Sequence, residues 1–152
     1  MELIHKSLDF EVRQVGEPKD RTLEFIASTA QVDRYGDIIE VDGWDLKNFK
    51  KNPVIPWGHN YSLPPVGKAV DIRTDEKALV VKVKFASPEE YGASWPTTAP
   101  SPDTIYNLCL NGYLKAVSVG FQSLEREPIL GKPDDNGYQS TTGWRFLKQE
   151  LY

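Results

Sequence analysis

The sequence predicts a β-rich α+β fold, an antiparallel-dominated barrel or sandwich with a few short helices packed around it. Apolar and polar residues alternate in several short segments, as they do in half-buried strands, and helix signals are few. The regular strand–helix alternation of a parallel sheet is absent. The 152 residues, 39% of them hydrophobic, suit a single core. We therefore expect residues 1–152 to form one domain.

Alternation predicts early strands over 8–12 and 22–25, and a well-specified strand over 78–85. Asp42 can cap a short helix that Asn52-Pro53 ends, because the residue before a proline avoids helical geometry. A strand over 54–57 is then expected.

The second half of the chain begins with a Pro-rich and Ser-rich loop, residues 92–102. Ser101-Pro102-Asp103-Thr104 has the residue order of a helix start, and Asn111-Gly112 ends the helix. A strand over 113–124, a turn over 133–137 and a last strand over 144–152 should follow.

Composition argues against several classes of function. The net charge is −4 and no basic stripe is present, so nucleic acid is not expected as a partner. No apolar run reaches the roughly 18 to 20 residues that cross a bilayer, so no membrane association is expected. A lone cysteine and no secretory signal indicate a reducing, cytoplasmic setting. Two distant histidines and one cysteine do not supply the ligand spacing of a zinc site, so no metal site is expected.

Ser118 is a candidate nucleophile. Its neighbours on the same strand face, Ala116 and Gly120, are small, whereas Val117, Val119 and Phe121 share the other face. The hydroxyl therefore faces open space, which an approaching carbonyl would need. An ordinary serine on a weakly packed strand face fits the same pattern.

A serine nucleophile needs a base, and the two histidines are the natural candidates. His5 lies in the terminal segment, whereas His59 follows a predicted strand, so His59 is preferred. An ordinary loop histidine remains an alternative. Cys109 is a rival nucleophile, but its position with Ile105 on an apolar helix stripe indicates a buried hydrophobic residue.

Four fragments in order resemble the caudoviral prohead (procapsid maturation) serine proteases, which are distantly similar to the herpesvirus assemblins. They are Ala27-Ser28-Thr29 leading into Asp33-Arg34-Tyr35-Gly36-Asp37-Ile38-Ile39, then Val54-Ile55-Pro56-Trp57-Gly58-His59, then Val66-Gly67-Lys68, and finally Asn111-Gly112-Tyr113-Leu114-Lys115 running into Val117-Ser118-Val119-Gly120-Phe121. The resemblance covers most of the chain. It implies an assemblin-like barrel with Ser118 as nucleophile and His59 as general base.

The resemblance also implies a substrate and a setting. Such a protease cleaves extensions of scaffold or major capsid protein, and itself, inside an immature shell in the host cytoplasm. It needs no cofactor, and a homo-oligomer is left open. Asp33 and Asp37 fit the family's acidic turn, but the backbone geometry of such a turn explains them alone, so a structural role is preferred to a catalytic one.

The family's third catalytic member is an acid in the final segment. Glu150 is the candidate here, and an acid beyond Tyr152 is the alternative, in which case the domain is truncated at its C-terminal end. Losing that acid would leave the enzyme weakly active or inactive. Two other functions stay open: a non-catalytic capsid-associated β domain that binds scaffold protein, and a small-molecule Ser/His esterase, although the Gly-x-Ser-x-Gly motif is absent.

Overall fold

The computed structural model describes residues 3–7, 12–92, 94–96 and 98–152. These ranges contain ten β-strands and two α-helices. The strands are β1 (Leu3–Ser7), β2 (Arg13–Val15), β3 (Thr22–Thr29), β4 (Ile38–Ile39), β5 (Trp44–Asp45), β6 (Val54–Ile55), β7 (Gly67–Thr74), β8 (Ala78–Phe85), β9 (Ser118–Leu130) and β10 (Thr141–Leu151). The helices are α1 (Pro88–Tyr91) and α2 (Pro102–Leu110), and short 3-10 turns cover Pro18–Asp20, Val41–Gly43, Phe49–Lys51 and Trp57–His59.

The strands form two five-stranded sheets. The first has the order β1-β9-β10-β4, and β5 also pairs with β10. Within it, β9 is antiparallel to β1 and β10, whereas β4 and β5 run parallel to β10. The second sheet, β2-β3-β8-β7-β6, is antiparallel throughout. The β-rich class with few helices is confirmed, but the sheets do not close into a barrel, so that prediction is not confirmed.

Both sheets contribute to one hydrophobic core. Alternation in β3 buries Leu23 and Phe25, as period-two patterning requires. β8 is buried almost throughout, because it lies at the centre of its sheet. From the first sheet, Phe121 and Phe146 are 0% and 1% exposed. A cluster this well buried supplies the main driving force for folding.

Helix α2 begins and ends where the sequence predicts. The Ser101 hydroxyl accepts a hydrogen bond from the Thr104 N–H at 3.2 Å, which satisfies one of the free donors of the first turn. Arg21 forms an ion pair with Asp103 at 2.8 Å and stacks over the Tyr106 ring at 4.6 Å. Both contacts hold α2 against the residues that precede β3.

Several other sequence predictions are confirmed. The strand over 78–85 coincides with β8, residues 22–25 lie inside β3, and residues 133–137 form the turn between β9 and β10. The strand expected over 113–124 begins only at Ser118 and continues to Leu130. Of the strand expected over 8–12, residues 8–11 lie outside the described residues.

The prediction of a helix after Asp42 is wrong. Trp44 instead starts β5 and pairs with Gln149 of β10 in a parallel register. Burial of the Trp44 ring against the edge of Phe121, at a centroid distance of 5.5 Å, outweighs a weak local helix preference. A 3-10 turn, Phe49–Lys51, is what remains of the helical signal. The strand expected over 54–57 is likewise shorter and stops at Ile55.

The acidic turn between β3 and β4 is fastened to β10. The Asp33 carboxylate accepts hydrogen bonds from the N–H groups of Tyr35 at 2.7 Å and Asp37 at 3.0 Å. Asp37 in turn accepts from the Trp144 N–H at 2.7 Å. Gly36 lies so close to β10 that a Cβ there would be 2.5 Å from the Thr142 carbonyl oxygen. Both carboxylates therefore have a structural role, because they accept hydrogen bonds from backbone N–H groups of the turn and of β10.

Replacement of Gly36 tests this close approach. Gly36 and Gly137 have nearly equal positive φ angles, +80° and +78°, but a Cβ on Gly137 would meet nothing within 4 Å. We expect Gly137→Ala to lower the free energy of unfolding by about 1 to 2 kcal/mol, from left-handed strain alone. Gly36→Ala should lower it by roughly 1 to 3 kcal/mol more, because the Thr142 backbone must move. Urea unfolding measures both, and equal losses would contradict the packing argument.

Candidate active site

A cavity of about 320 Å³ lies between the two sheets and opens to solvent on one side. Its floor consists of buried apolar side chains from β3, β8 and α2, including Phe25, Leu79 and Ile105. Its rim is formed by residues 54–59, by residues 116–118 at and just before the start of β9, and by Tyr61 and Tyr152. The volume falls in the range of small-molecule and side-chain binding pockets.

Ser118 lies at the mouth of this cavity. It is the first residue of β9, is exposed, and pairs through its backbone with Ser7 of β1. Val119 and Phe121 are buried, which anchors the strand immediately after it. Gly120, which is buried, also lines the cavity.

His59 lies on the rim of the same cavity. It ends the 3-10 turn Trp57–His59, in which Gly58 and His59 have φ angles of +57° and +55°. The left-handed region is uncommon for a residue with a side chain, although histidine adopts it more readily than most. The His59 residue is half-buried, and its Nε2 atom is shielded from solvent.

The segment that carries His59 is braced by its own hydrogen bonds. The Asn60 N–H donates to the Trp57 carbonyl at 3.0 Å, which closes the turn. The Asn60 side-chain oxygen accepts from the Ser62 N–H at 3.0 Å. Such Asx geometry stabilises a loop locally, so the imidazole starts from a defined backbone.

Glu150 does not belong to the cavity lining. It lies on β10 opposite Gln122, and its carboxylate accepts a hydrogen bond from the Asn48 side-chain amide at 2.6 Å. Its neighbours Leu151 and Tyr152 do line the cavity. Successive strand residues point to opposite faces, so Glu150 and Leu151 are directed to different sides of the sheet. Of the three residues predicted as catalytic, the structure thus brings Ser118 and His59 to one cavity.

Sequence reasoning missed the cavity itself. Trp57, Tyr61 and Tyr152 form an aromatic rim, with exposures of 37%, 56% and 45%, and buried side chains such as Ala27 form its floor. Of these residues, only Trp57 could have been assigned to the rim from the sequence, because it lies two positions before His59. Nothing in the sequence marks Ala27, because its role depends on contacts with distant strands.

Comparisons with known proteins agree with the sequence resemblance at a coarse level. The chain is 32% identical over 126 residues to a prohead protease of Escherichia phage T5, which covers 80% of this chain and 52% of that protein. The chain is therefore similar to a phage prohead protease. It is also 28% identical over 142 residues to a capsid polyprotein of Pseudomonas phage PAJU2, which covers 93% of this chain and 19% of that protein. The similarity to herpesvirus assemblins stays a prediction.

These relatives are longer proteins. The chain spans about half the length of the T5 protein and about a fifth of the polyprotein. No protein-family profile matches the sequence. No solved structure matches it either.

The described residues contain neither a cluster of potential metal ligands nor a helix that could span a membrane. In this part of the chain, no three histidine, cysteine or carboxylate side chains come together as a metal site would require. Among the same residues, no helix combines the length and apolar composition needed to span a bilayer.

Cys109 lines the cavity floor and is 6% exposed. Burial raises the pKa of its thiol from the ordinary value of 9.0 to about 11. A raised pKa favours the neutral thiol, so at neutral pH the nucleophilic thiolate is scarce. The structure therefore agrees with the interpretation of Cys109 as a small buried hydrophobic residue.

Alkylation kinetics test this environment. At pH 8 the shift in pKa reduces the thiolate fraction of Cys109 roughly 100-fold relative to an exposed thiol, and burial slows access further. We expect iodoacetamide to modify the native chain at least about 100-fold more slowly than the urea-unfolded chain, and the native rate to rise with pH up to about 11. Mass spectrometry measures both rates. Equal rates in the two states would show that Cys109 is exposed.

Proposed function

We propose that this chain is a serine endopeptidase that cleaves scaffold or capsid-protein extensions, and itself, during phage procapsid maturation. The observation that carries the proposal is that Ser118 and His59, far apart in sequence, line one cavity. Similarity to a prohead protease supports the biological setting, an immature capsid shell in the infected cell. Scaffold or major capsid protein is the proposed substrate.

The proposed reaction is acyl transfer. The His59 imidazole takes the Ser118 hydroxyl proton as the Ser118 oxygen bonds to the carbonyl carbon of the scissile peptide. The resulting imidazolium gives that proton to the leaving amine as the C–N bond breaks. Water then attacks the acyl-enzyme, giving one proton to His59, and Ser118 leaves as its oxygen recovers a proton from the imidazolium.

The backbone at His59 supports its role as base. Residues held in sparsely populated conformations cluster at active sites, because surrounding structure must maintain them. The hydrogen bonds of Asn60 fix the backbone that carries the ring, and Nε2 is shielded from solvent. A restricted base loses less entropy when it meets the nucleophile, which favours catalysis.

Two substitutions test the Ser118–His59 pair. Ser118→Ala removes the nucleophile, and His59→Asn removes the base while keeping a residue that tolerates the left-handed region. We expect each to lower self-cleavage, or cleavage of the capsid protein encoded by the same genome, by at least about 10³-fold. Product formation is followed by mass spectrometry.

A matched control is Ser123→Ala, which removes a hydroxyl from the same strand further along β9. It should cleave at the unmodified rate. A fluorophosphonate reagent should label Ser118 of the wild-type chain, with loss of fluoride. In the His59→Asn variant, the same reagent should label Ser118 much more slowly. Unchanged cleavage by Ser118→Ala would overturn the proposal.

Glu150 is the proposed third member of the catalytic group, beside Ser118 and His59. Its hydrogen bond with Asn48 provides a matched pair of test variants. Glu150→Gln and Asn48→Ala both alter this hydrogen bond, but Glu150→Gln alone removes the carboxylate. A role in orienting His59 predicts a fall in turnover of up to about 10⁴-fold for Glu150→Gln alone. If the two variants have the same unfolding free energy and the same turnover, Glu150 has no role beyond its hydrogen bond with Asn48.

One comparison also favours a second function, a non-catalytic capsid-associated domain that binds scaffold protein. The segment similar to this chain is part of a much longer capsid polyprotein in Pseudomonas phage PAJU2. A chain that binds scaffold protein but shows neither fluorophosphonate labelling nor cleavage would support this second function. Ester hydrolysis without peptide cleavage would instead indicate an esterase.

A further inference from the structure

The cavity beside Ser118 is partly open to solvent and lined mainly by apolar side chains. Exposed Ser118 and Trp57 and half-buried His59 lie on its rim, whereas buried Phe25, Ile105 and Cys109 lie on its floor. An apolar cavity of roughly 150 Å³ already holds a benzene ring, so about 320 Å³ accommodates a large side chain. The lining therefore includes both the candidate nucleophile and side chains of the hydrophobic core.

The chemistry of the lining limits what can enter. Among the described residues that line the cavity, none is an aspartate, glutamate, lysine or arginine. A charged side chain placed there would lose its hydration without gaining an ion pair, which costs far more than burial of an apolar group returns. An aliphatic or aromatic side chain would gain free energy in proportion to the apolar area it buries.

The position of Ser118 identifies which part of a peptide reaches the cavity. The serine oxygen attacks the carbonyl carbon of one substrate residue. The side chain of that residue is attached to the Cα atom next to this carbonyl carbon. Ser118 and His59 are part of the cavity rim, and Gly120 adds no side chain that would block the entrance. That side chain is thus the nearest group that can fill the space.

We propose that the cavity binds the side chain of the residue whose carbonyl is attacked, and that it selects a large aliphatic or aromatic side chain at that position. This inference rests on the proposed peptidase function of Ser118. It adds a substrate class and identifies the floor of the cavity, Ala27 and Cys109 in particular, as the part that sets the preferred size.

Activated esters test the preference without knowledge of the cleavage sequence. The probes are N-acetyl amino acid p-nitrophenyl esters of alanine, leucine, phenylalanine, lysine and glutamate. We expect kcat/KM for the leucine and phenylalanine esters to exceed the values for the other three by at least about tenfold. A preference for the lysine or glutamate ester would overturn the inference.

Two variants fill the cavity from opposite sides. Ala27→Leu adds volume from β3 and Cys109→Met adds volume from α2, and both residues line the floor. We expect each to lower kcat/KM for the phenylalanine ester at least about tenfold while the value for the alanine ester changes less than about threefold. Because added volume enters existing space, the melting temperature should stay level or rise.

The control is Ala78→Val, which adds volume at a buried position of β8 outside the cavity lining. It should leave the ratio of the phenylalanine and alanine rates unchanged. If both filling variants fold and keep the original ratio, the inference is wrong. Fluorophosphonate labelling separates the two levels: label on Ser118 without an apolar preference refutes only this inference, whereas no label on Ser118 refutes the peptidase proposal itself.

Discussion

The packing of Phe121 is the interaction on which the first sheet and the candidate site both depend. Its ring is fully buried and meets Trp44 of β5 and Phe146 of β10 edge to face, at centroid distances of 5.5 and 5.2 Å. An aromatic side chain in such an environment contributes about 3 to 5 kcal/mol to stability. Because Ser118 lies three residues earlier on the same strand, the position of the hydroxyl follows from the packing of Phe121.

The cavity is costly to maintain. Unfilled space next to apolar side chains costs stability, because those side chains lose the packing contacts that a filled core would give them. The open rim admits water and reduces this cost, but the apolar floor remains incompletely packed. Proteins commonly give up stability at places where a ligand must enter, and the location of this space beside Ser118 fits that pattern.

Local rules predicted the elements that local interactions determine. The alternation in β8 and the Ser101 cap of α2 are encoded within a few residues, and both were predicted within one or two positions. The small neighbours of Ser118, Ala116 and Gly120, do line the cavity, although Ala116 precedes β9 and Gly120 is buried. The segment after Asp42 was predicted wrongly because Trp44 responds to β10, which is about a hundred residues away. The open arrangement of the two sheets and the cavity between them escaped prediction for the same reason.

Strand β10 has a consequence for the order in which the protein becomes functional. It forms hydrogen bonds with β9 on one side and with β4 and β5 on the other, and Arg145 pairs with Ile38, more than a hundred residues earlier. Of the described strands it leaves the ribosome last, so the first sheet cannot assemble before it emerges. Pairings of such long range also form slowly. A nascent chain therefore carries Ser118 on an incomplete sheet until translation has passed β10.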